Sequence, residues 1–171
     1  IKPETYKRFE AFIHHDPDYV GRIVFPVRDI SGRITAFNGR HTTGGTPKYM
    51  ISPAGAKMPL FPVVKPIQGA VILVEGIFDM INLHDKGLTN AVCTFGTKNI
   101  NEDKLRMLSI QGVDSIDIFF DGDDAGQEAS KYVQTMCENV ELAHRNICLK
   151  DTDPGALKEQ AVKTLKRKLY A

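Results

Sequence analysis

Six acidic residues fall where an α/β fold would expose them together. In AVILVEGIFDM, Glu75 follows five apolar residues directly and Asp79 lies four further on. In SIDIFFDGDDAGQEA a second apolar run ends at Asp121, with Asp123 two residues later; in NICLKDTDPG a third candidate strand is followed by Asp151 and Asp153. Carboxylates crowded together raise one another's pKa and repel unless a cation shares the site. Oxygen donors with no Cys or His beside them favour a hard ion, Mg²⁺ or Mn²⁺. Such ions clamp the attacking and leaving oxygens of a phosphoryl transfer. Some of these acids have a plainer reading. Asp123 or Asp124 can cap the helix that follows, with Asp124 the favoured cap, and Asp79, Asp151 and Asp153 also read as ordinary solvated acids. Glu75 and Asp121 have no such alternative. Gly122 and Gly126 would let backbone and substrate approach closely.

The elements that must position these acids follow from hydrophobic periodicity. From residue 70 onward, AVILV, AVCTF, SIDIFF and ELAHRNICL read as strands. Between and after them, IFDMINLHDKG, NEDKLRMLSIQG, DAGQEASKYVQTMCENV and the tail from about Gly155 read as helices. Short apolar strands alternating with helices predict a mainly parallel sheet covered on both faces. In such sheets the ligand site lies off the carboxyl ends of the strands, which is where the acids fall. The first part of the chain differs. PETYKRFEAFIHHD predicts a helix with Tyr6, Phe9, Phe12 and Ile13 along one face. RIVFPVRDISGRITAFNGR predicts a hairpin, Ile23 to Arg28 and Arg33 to Phe37 about a turn at Ser31-Gly32. A Gly-, Pro- and Thr-rich loop follows, with a short strand at Lys48 to Ile51. The expected organisation is a small basic α+β subdomain, residues 1–69, and an α/β subdomain, residues 70–171, with the boundary near Pro66 to Gly69.

Charge supports that division. Residues 1–69 carry 10 Lys+Arg against 5 Asp+Glu, whereas residues 70–171 carry 12 against 16. Halves of opposite sign suit a polyanion held by one and metal-linked chemistry on the other. At 171 residues and 42% hydrophobic content the chain can bury a core. No apolar run approaches the roughly 20 residues needed to cross a bilayer, and IKPETYKRFE has no signal-peptide pattern, so a soluble, cytoplasmic protein is expected. The start at Ile1 rather than Met fits a piece of a longer protein. Cys93, Cys137 and Cys148 are widely spaced, without C-x-x-C, and read as buried small hydrophobes. His14 and His15 lack further ligands at metal spacing and read as surface residues at a helix end.

VEGIFDMINL followed by FFDGDDAGQEA resembles the Toprim domain, the metal-binding α/β module of primases and topoisomerases. An E-G-x-x-D segment, a Gly-Thr turn at Gly96-Thr97, D-G-D-x-A-G and K-D-x-D follow one another as in bacterial and phage DnaG-type primases. The D-x-D-R-E-G form of type I topoisomerases is not present. GRIVFPVRDISGRITAFNGR, TPKYMISP and PLF resemble the N-terminal subdomain of the primase RNA polymerase core, so the resemblance covers about residues 20 to 155. It implies a Toprim, Rossmann-like parallel sheet preceded by the basic subdomain. It also implies metal-dependent synthesis of short RNA primers from ribonucleoside triphosphates on single-stranded DNA during replication. Glu75, Asp121 and Asp123 correspond to the main catalytic, metal-binding acids, with Asp79, Asp151 and Asp153 as further metal-site acids for Mg²⁺ or Mn²⁺. Arg40 and Lys48, with Tyr49 beside them, match positions that engage template or nucleotide phosphates. Lys98, after the Gly-Thr turn, is placed to reach a triphosphate. A replicative helicase is the expected partner, through modules absent from these residues.

Three departures stand out. The family usually has Asn where this chain has Ile51, the segment between Pro53 and Phe61 is shortened, and Pro154 follows the last acids rather than separating them. Which of Asp151 and Asp153 faces the site is therefore open. Two other classes fit parts of the pattern: a Toprim nuclease, and a non-polymerising Toprim nucleic-acid-binding module. The latter leaves the basic lobe unexplained.

Overall fold

The structure, a computed structural model, describes residues 1–63 and 69–170. The chain divides into two compact units, Ile1–Val63 and Val64–Ala171. Of the expected boundary at Pro66 to Gly69, only Gly69 lies within the described residues.

In the first unit Pro3, whose missing N–H costs nothing at a helix start, opens helix α1 (Pro3–Arg8). The helix ends well before the spacing of Phe12 and Ile13 predicts. Glu10 takes a left-handed φ of 55°, and Phe12 then pairs with Val24 in the extended form, N–H to carbonyl in both directions at 3.0 and 2.8 Å. Tyr6 and Phe9 still reach the core, with ring centroids 6.5 Å from Phe25 and 5.8 Å from Phe61 respectively. Phe12 instead meets Phe37 edge-on, and Ile13 is exposed. His14 and His15 are exposed, as expected, but on the segment after the helix rather than at its end. Strands β1 (Arg22–Arg28) and β2 (Ile34–His41) form the antiparallel hairpin. Its turn is closed by Asp29, whose Oδ1 accepts from the backbone N–H of Ser31 and of Arg33. Strand β3 (Tyr49–Ser52) adds to β2, placing Tyr49 opposite Arg40.

The second unit is a parallel four-stranded sheet of β4 (Gly69–Val74), β5 (Ala91–Cys93), β6 (Val113–Ile118) and β7 (Ala143–Asn146), in the order β5-β4-β6-β7. Helices α2 (Ile77–Asp85), α3 (Glu102–Ile110), α4 (Asp124–Asn139) and α5 (Glu159–Tyr170) complete it. Val71, Ile72, Leu73 and Val74 are all buried, which is why AVILV carries no polar alternation; Ile116, Ile118, Phe119 and Phe120 are buried as well, with Asp117 between them. After β4 the chain goes to β5 on one side and later to β6 on the other. The end of β4 is thus the point where strand order reverses, the usual ligand crevice of such sheets. The α/β parallel-sheet expectation holds, although β7 is shorter than ELAHRNICL suggests. Cys93 and Cys137 are buried, and burial pushes the Cys137 thiol up to about 11. Cys148 is exposed, which corrects the reading of all three as buried. Among the described residues no helix is long and apolar enough to cross a membrane.

Candidate functional site

Glu75 directly follows β4, and its carbonyl accepts from the Gly96 N–H at 2.9 Å, tying the ends of β4 and β5 together. Asp79 lies in the first turn of α2, where its Oδ2 accepts from the Gly76 N–H at 2.9 Å. Burial and the nearby carboxylates of Asp121, Asp153 and Glu75 push the Asp79 carboxyl up to about 7, against the lowering effect of the Gly76 N–H. Four acids, from the ends of two strands, the start of a helix and the segment after β7, therefore share one electrostatic field. The segment holding Asp153 is brought in by two devices. Asn82, one turn along α2 from Asp79 and itself buried, donates to the carbonyls of Pro154 and Leu157 at 2.8 and 3.0 Å. Gly155 then packs so closely that a Cβ there would lie 2.5 Å from Asp79 Oδ1 and 3.1 Å from Asp153 Oδ1.

The remaining acids sit differently. Asp123, and not the favoured Asp124, is the N-cap of α4: its backbone is extended, and its Oδ1 accepts from the Gly126 N–H at 2.8 Å. Asp124 is already the first helical residue, so its side chain leaves the cap position. Asp151 is exposed at a left-handed φ of 54°. It is Asp153, not Asp151, whose charge acts on Asp79. The two glycines of the D-G-D-x-A-G stretch admit the protein's own backbone. A Cβ at Gly122 would lie 2.0 Å from the Leu149 carbonyl oxygen, and one at Gly126 2.3 Å from that of Asp121.

Among the described residues no three Asp, Glu, His or Cys side chains stand close enough together to enclose a metal ion. The donor chemistry nevertheless suits a hard divalent cation. The donors are oxygen only, and the ionised form of Asp79 is opposed by three neighbouring carboxylates, a repulsion that a cation relieves.

Beside this cluster, Lys98 lies in the 3-10 turn Thr97–Asn99 and is exposed. It borders a groove together with Glu75, Phe95, Gly96, Thr97 and Asn99.

In the basic unit the cations separate by their partners. Arg28 forms a two-point ion pair with Glu10, and Arg33 pairs with Asp29 at 3.2 Å. Arg22 is buried. Arg40 and Lys48 instead gather about Tyr49, with the Arg40 guanidinium 4.9 Å and the Lys48 ammonium 5.7 Å from the ring centroid. Ile51, the position lacking an amide, stands directly across the β2–β3 ladder from Asn38. Asn38 is buried, and its Oδ1 has no hydrogen-bond partner among the described residues.

Two features were not singled out from the sequence. Asn82 interrupts the apolar stripe of IFDMINLHD, and Asp117 interrupts that of SIDIFF; a polar residue inside a buried run is the available signal in both cases. Asp117 is 1% exposed and takes a two-point bond from Arg145 at 2.6 and 2.9 Å, while the Tyr170 hydroxyl donates to its Oδ2. This anchors the end of α5 on the sheet.

Residues 69–146 match the family model of the Toprim domain, and residues 6–61 that of the DNA primase catalytic core, N-terminal domain. A DNA primase of Pseudomonas putida is 36% identical over 155 residues, which cover 83% of this chain and 22% of the relative. The chain thus spans about a fifth of the length of the curated relatives it matches. A DNA primase domain from Pseudomonas aeruginosa, of known structure, superposes with a TM-score of 0.73 at 29% identity, covering 94% of this chain and 56% of that one. The DnaG primase catalytic domain bound to single-stranded DNA has the same fold. Its TM-score is 0.81 at 21% identity, covering 98% of this chain and 67% of that one.

Proposed function

The chain belongs to the DnaG-type DNA primase family, and from that premise we propose that it is a primase catalytic core. It makes short RNA primers from ribonucleoside triphosphates on single-stranded DNA in the cytoplasm of a bacterial or phage-infected cell. Residues 1–69 hold the template, and residues 70–171 hold metal and nucleotide. The observation that carries this reading is the shared field of Glu75, Asp79, Asp121 and Asp153 off the carboxyl ends of the sheet, in a chain whose preceding half is basic.

The reaction joins the 3′ oxygen of one nucleotide to the α-phosphorus of the next and releases pyrophosphate. Glu75, Asp121 and Asp123, with Asp79 and Asp151 or Asp153, would hold Mg²⁺ or Mn²⁺, which when bound would supply positive charge to the phosphate oxygens. The acids that hold it also keep the crevice anionic, which favours a nucleotide arriving with its own cation. Lys98, on the groove it borders with Glu75, neutralises part of the triphosphate. Arg40 and Lys48 bind template phosphates, and Tyr49 offers its ring to a base, as in other single-strand platforms. Contact with a replicative helicase is assigned to modules outside these residues.

The Asp121→Ala variant tests the assignment. It is expected to lose nucleotide incorporation while retaining template binding; equal loss of both, with circular dichroism unchanged, would contradict the role given to Asp121.

A further inference from the structure

We propose that His41 and Arg22 are positioning residues that hold the β2–β3 loop, residues 42–48, in one conformation, so that Arg40, Lys48 and Tyr49 meet nucleic acid already arranged. The inference rests on the template-binding reading of the basic unit. A loop of sequence TTGGTPK is intrinsically free to sample many conformations, and ordering it on binding would cost affinity.

Here two side chains from its base satisfy its backbone from within. The Nδ1 of His41 accepts from the Thr43 N–H at 3.2 Å and the Gly45 N–H at 3.1 Å. Backbone amides only donate, so this nitrogen carries no proton and the ring N–H is on Nε2. The ring lies against two glycines. A Cβ at Gly45 would come 2.2 Å from its Nε2, and one at Gly21 3.1 Å from the same atom. Directly across the ladder from His41 is Arg22, only 5% exposed. Its Nη2 donates to the Pro47 carbonyl at 2.7 Å, and its Nη1 reaches the carbonyls of Gly39 at 3.4 Å and Lys48 at 3.5 Å. Thr42 closes the near end, with its N–H and hydroxyl donating to the Gly21 carbonyl at 2.9 and 3.0 Å. The His41 N–H closes the far end on the Lys48 carbonyl at 3.1 Å.

The consequence falls on the cations. The His41 carbonyl accepts from Arg40 Nη1 at 2.7 Å, and Arg22 and His41 both hold the backbone of Lys48. Arg40 and Lys48 are thereby kept within 6 Å of one ring, at 4.9 and 5.7 Å. Two like charges so placed repel each other and gain when a phosphate arrives between them. A braced loop keeps them there before any ligand binds.

The test uses the full chain, 5′-labelled mixed-sequence single-stranded DNA, anisotropy titrations at several salt concentrations, and amide exchange at Thr43 and Gly45. His41→Ala is expected to speed exchange at both amides about tenfold or more and to weaken binding about fivefold. The slope of log affinity against log salt should not change, because no phosphate contact is removed. Gly45→Ala, which evicts the ring, should behave alike. His41→Asn, which places an acceptor oxygen at the bond position of Nδ1, should restore both readouts. Lys48→Ala is the contrast: it should reduce the salt slope by about 0.7 and leave exchange at Thr43 and Gly45 alone. Three results would overturn the proposal: unchanged exchange in His41→Ala, faster exchange with unchanged affinity, or a reduced salt slope that made His41 itself a contact. A parent chain that bound no single-stranded DNA would instead overturn the template reading. That outcome is told apart because exchange reads the loop without any ligand.

Discussion

Replacing Asp79 by Asn removes a charge that burial and the neighbouring carboxylates both disfavour. The amide keeps an oxygen to accept the Gly76 N–H, which Asp79 does at 2.9 Å, and keeps the volume, but carries no charge. Burial first, then Asp121, Asp153 and Glu75, raise the Asp79 carboxyl from 3.8 to about 7. At about 1.4 kcal/mol per pKa unit, an ionised Asp79 costs the metal-free protein up to about 4 kcal/mol. A raised carboxyl means that the folded chain holds the proton more tightly than the unfolded one. The parent should therefore match the variant below about pH 4, lose stability relative to it as pH climbs towards about 7, and stay level above that. Urea denaturation of both proteins in EDTA, from about pH 4 to about pH 8, reads the difference directly. The variant should be the more stable by up to about 4 kcal/mol at the upper end, and added Mg²⁺ should narrow the gap by stabilising the parent. Parallel stability curves across the whole range would refute the claim that these four acids share one field.

Arg145→Met leaves the Asp117 carboxylate, 1% exposed, with the Tyr170 hydroxyl but no cation. A loss of about 3 kcal/mol is expected in urea, most of it recovered in the double variant Asp117→Leu, Arg145→Met. Asn82→Ala strands the buried carbonyls of Pro154 and Leu157 at a cost of about 2 kcal/mol; faster amide exchange across 153–157 and a higher Mg²⁺ requirement for incorporation should accompany it. Gly126→Ala would set a Cβ 2.3 Å from the Asp121 carbonyl oxygen, so incorporation should fall sharply while single-stranded DNA binding by the basic unit persists.

Strands β4 and β5 and helix α2 of the second unit were legible because both strands are contiguous apolar runs and the helix stops just before Gly87, which takes a left-handed φ of 95°. The first helix was not. Phe12 and Ile13 fall at helical spacing from Tyr6 and Phe9, yet pairing of Phe12 with Val24 outweighs that local pattern, and only tertiary structure supplies the partner. Periodicity also placed Glu75 and Asp121 at strand ends. It could not tell which acid would cap α4, because Asp123 and Asp124 differ by one residue and that is within the uncertainty of any helix start read from sequence. Nor could it tell which arginines were engaged. Glu10 is far from Arg28 in sequence, and only the folded chain brings the two together, with Glu10 at a left-handed φ of 55° just past the end of α1.

The central claim is template-directed RNA synthesis at the acid cluster. The measurement that tests it most directly is incorporation of labelled ribonucleoside triphosphates on mixed-sequence single-stranded DNA with Mg²⁺ or Mn²⁺. The parent chain should be compared with its Asp121→Ala, Asp123→Ala form, with the template labelled separately. Short, alkali-labile products from the parent and none from the variant are predicted. No product, with the template cut or merely bound, would contradict the claim and favour a Toprim nuclease or a non-polymerising nucleic-acid-binding module.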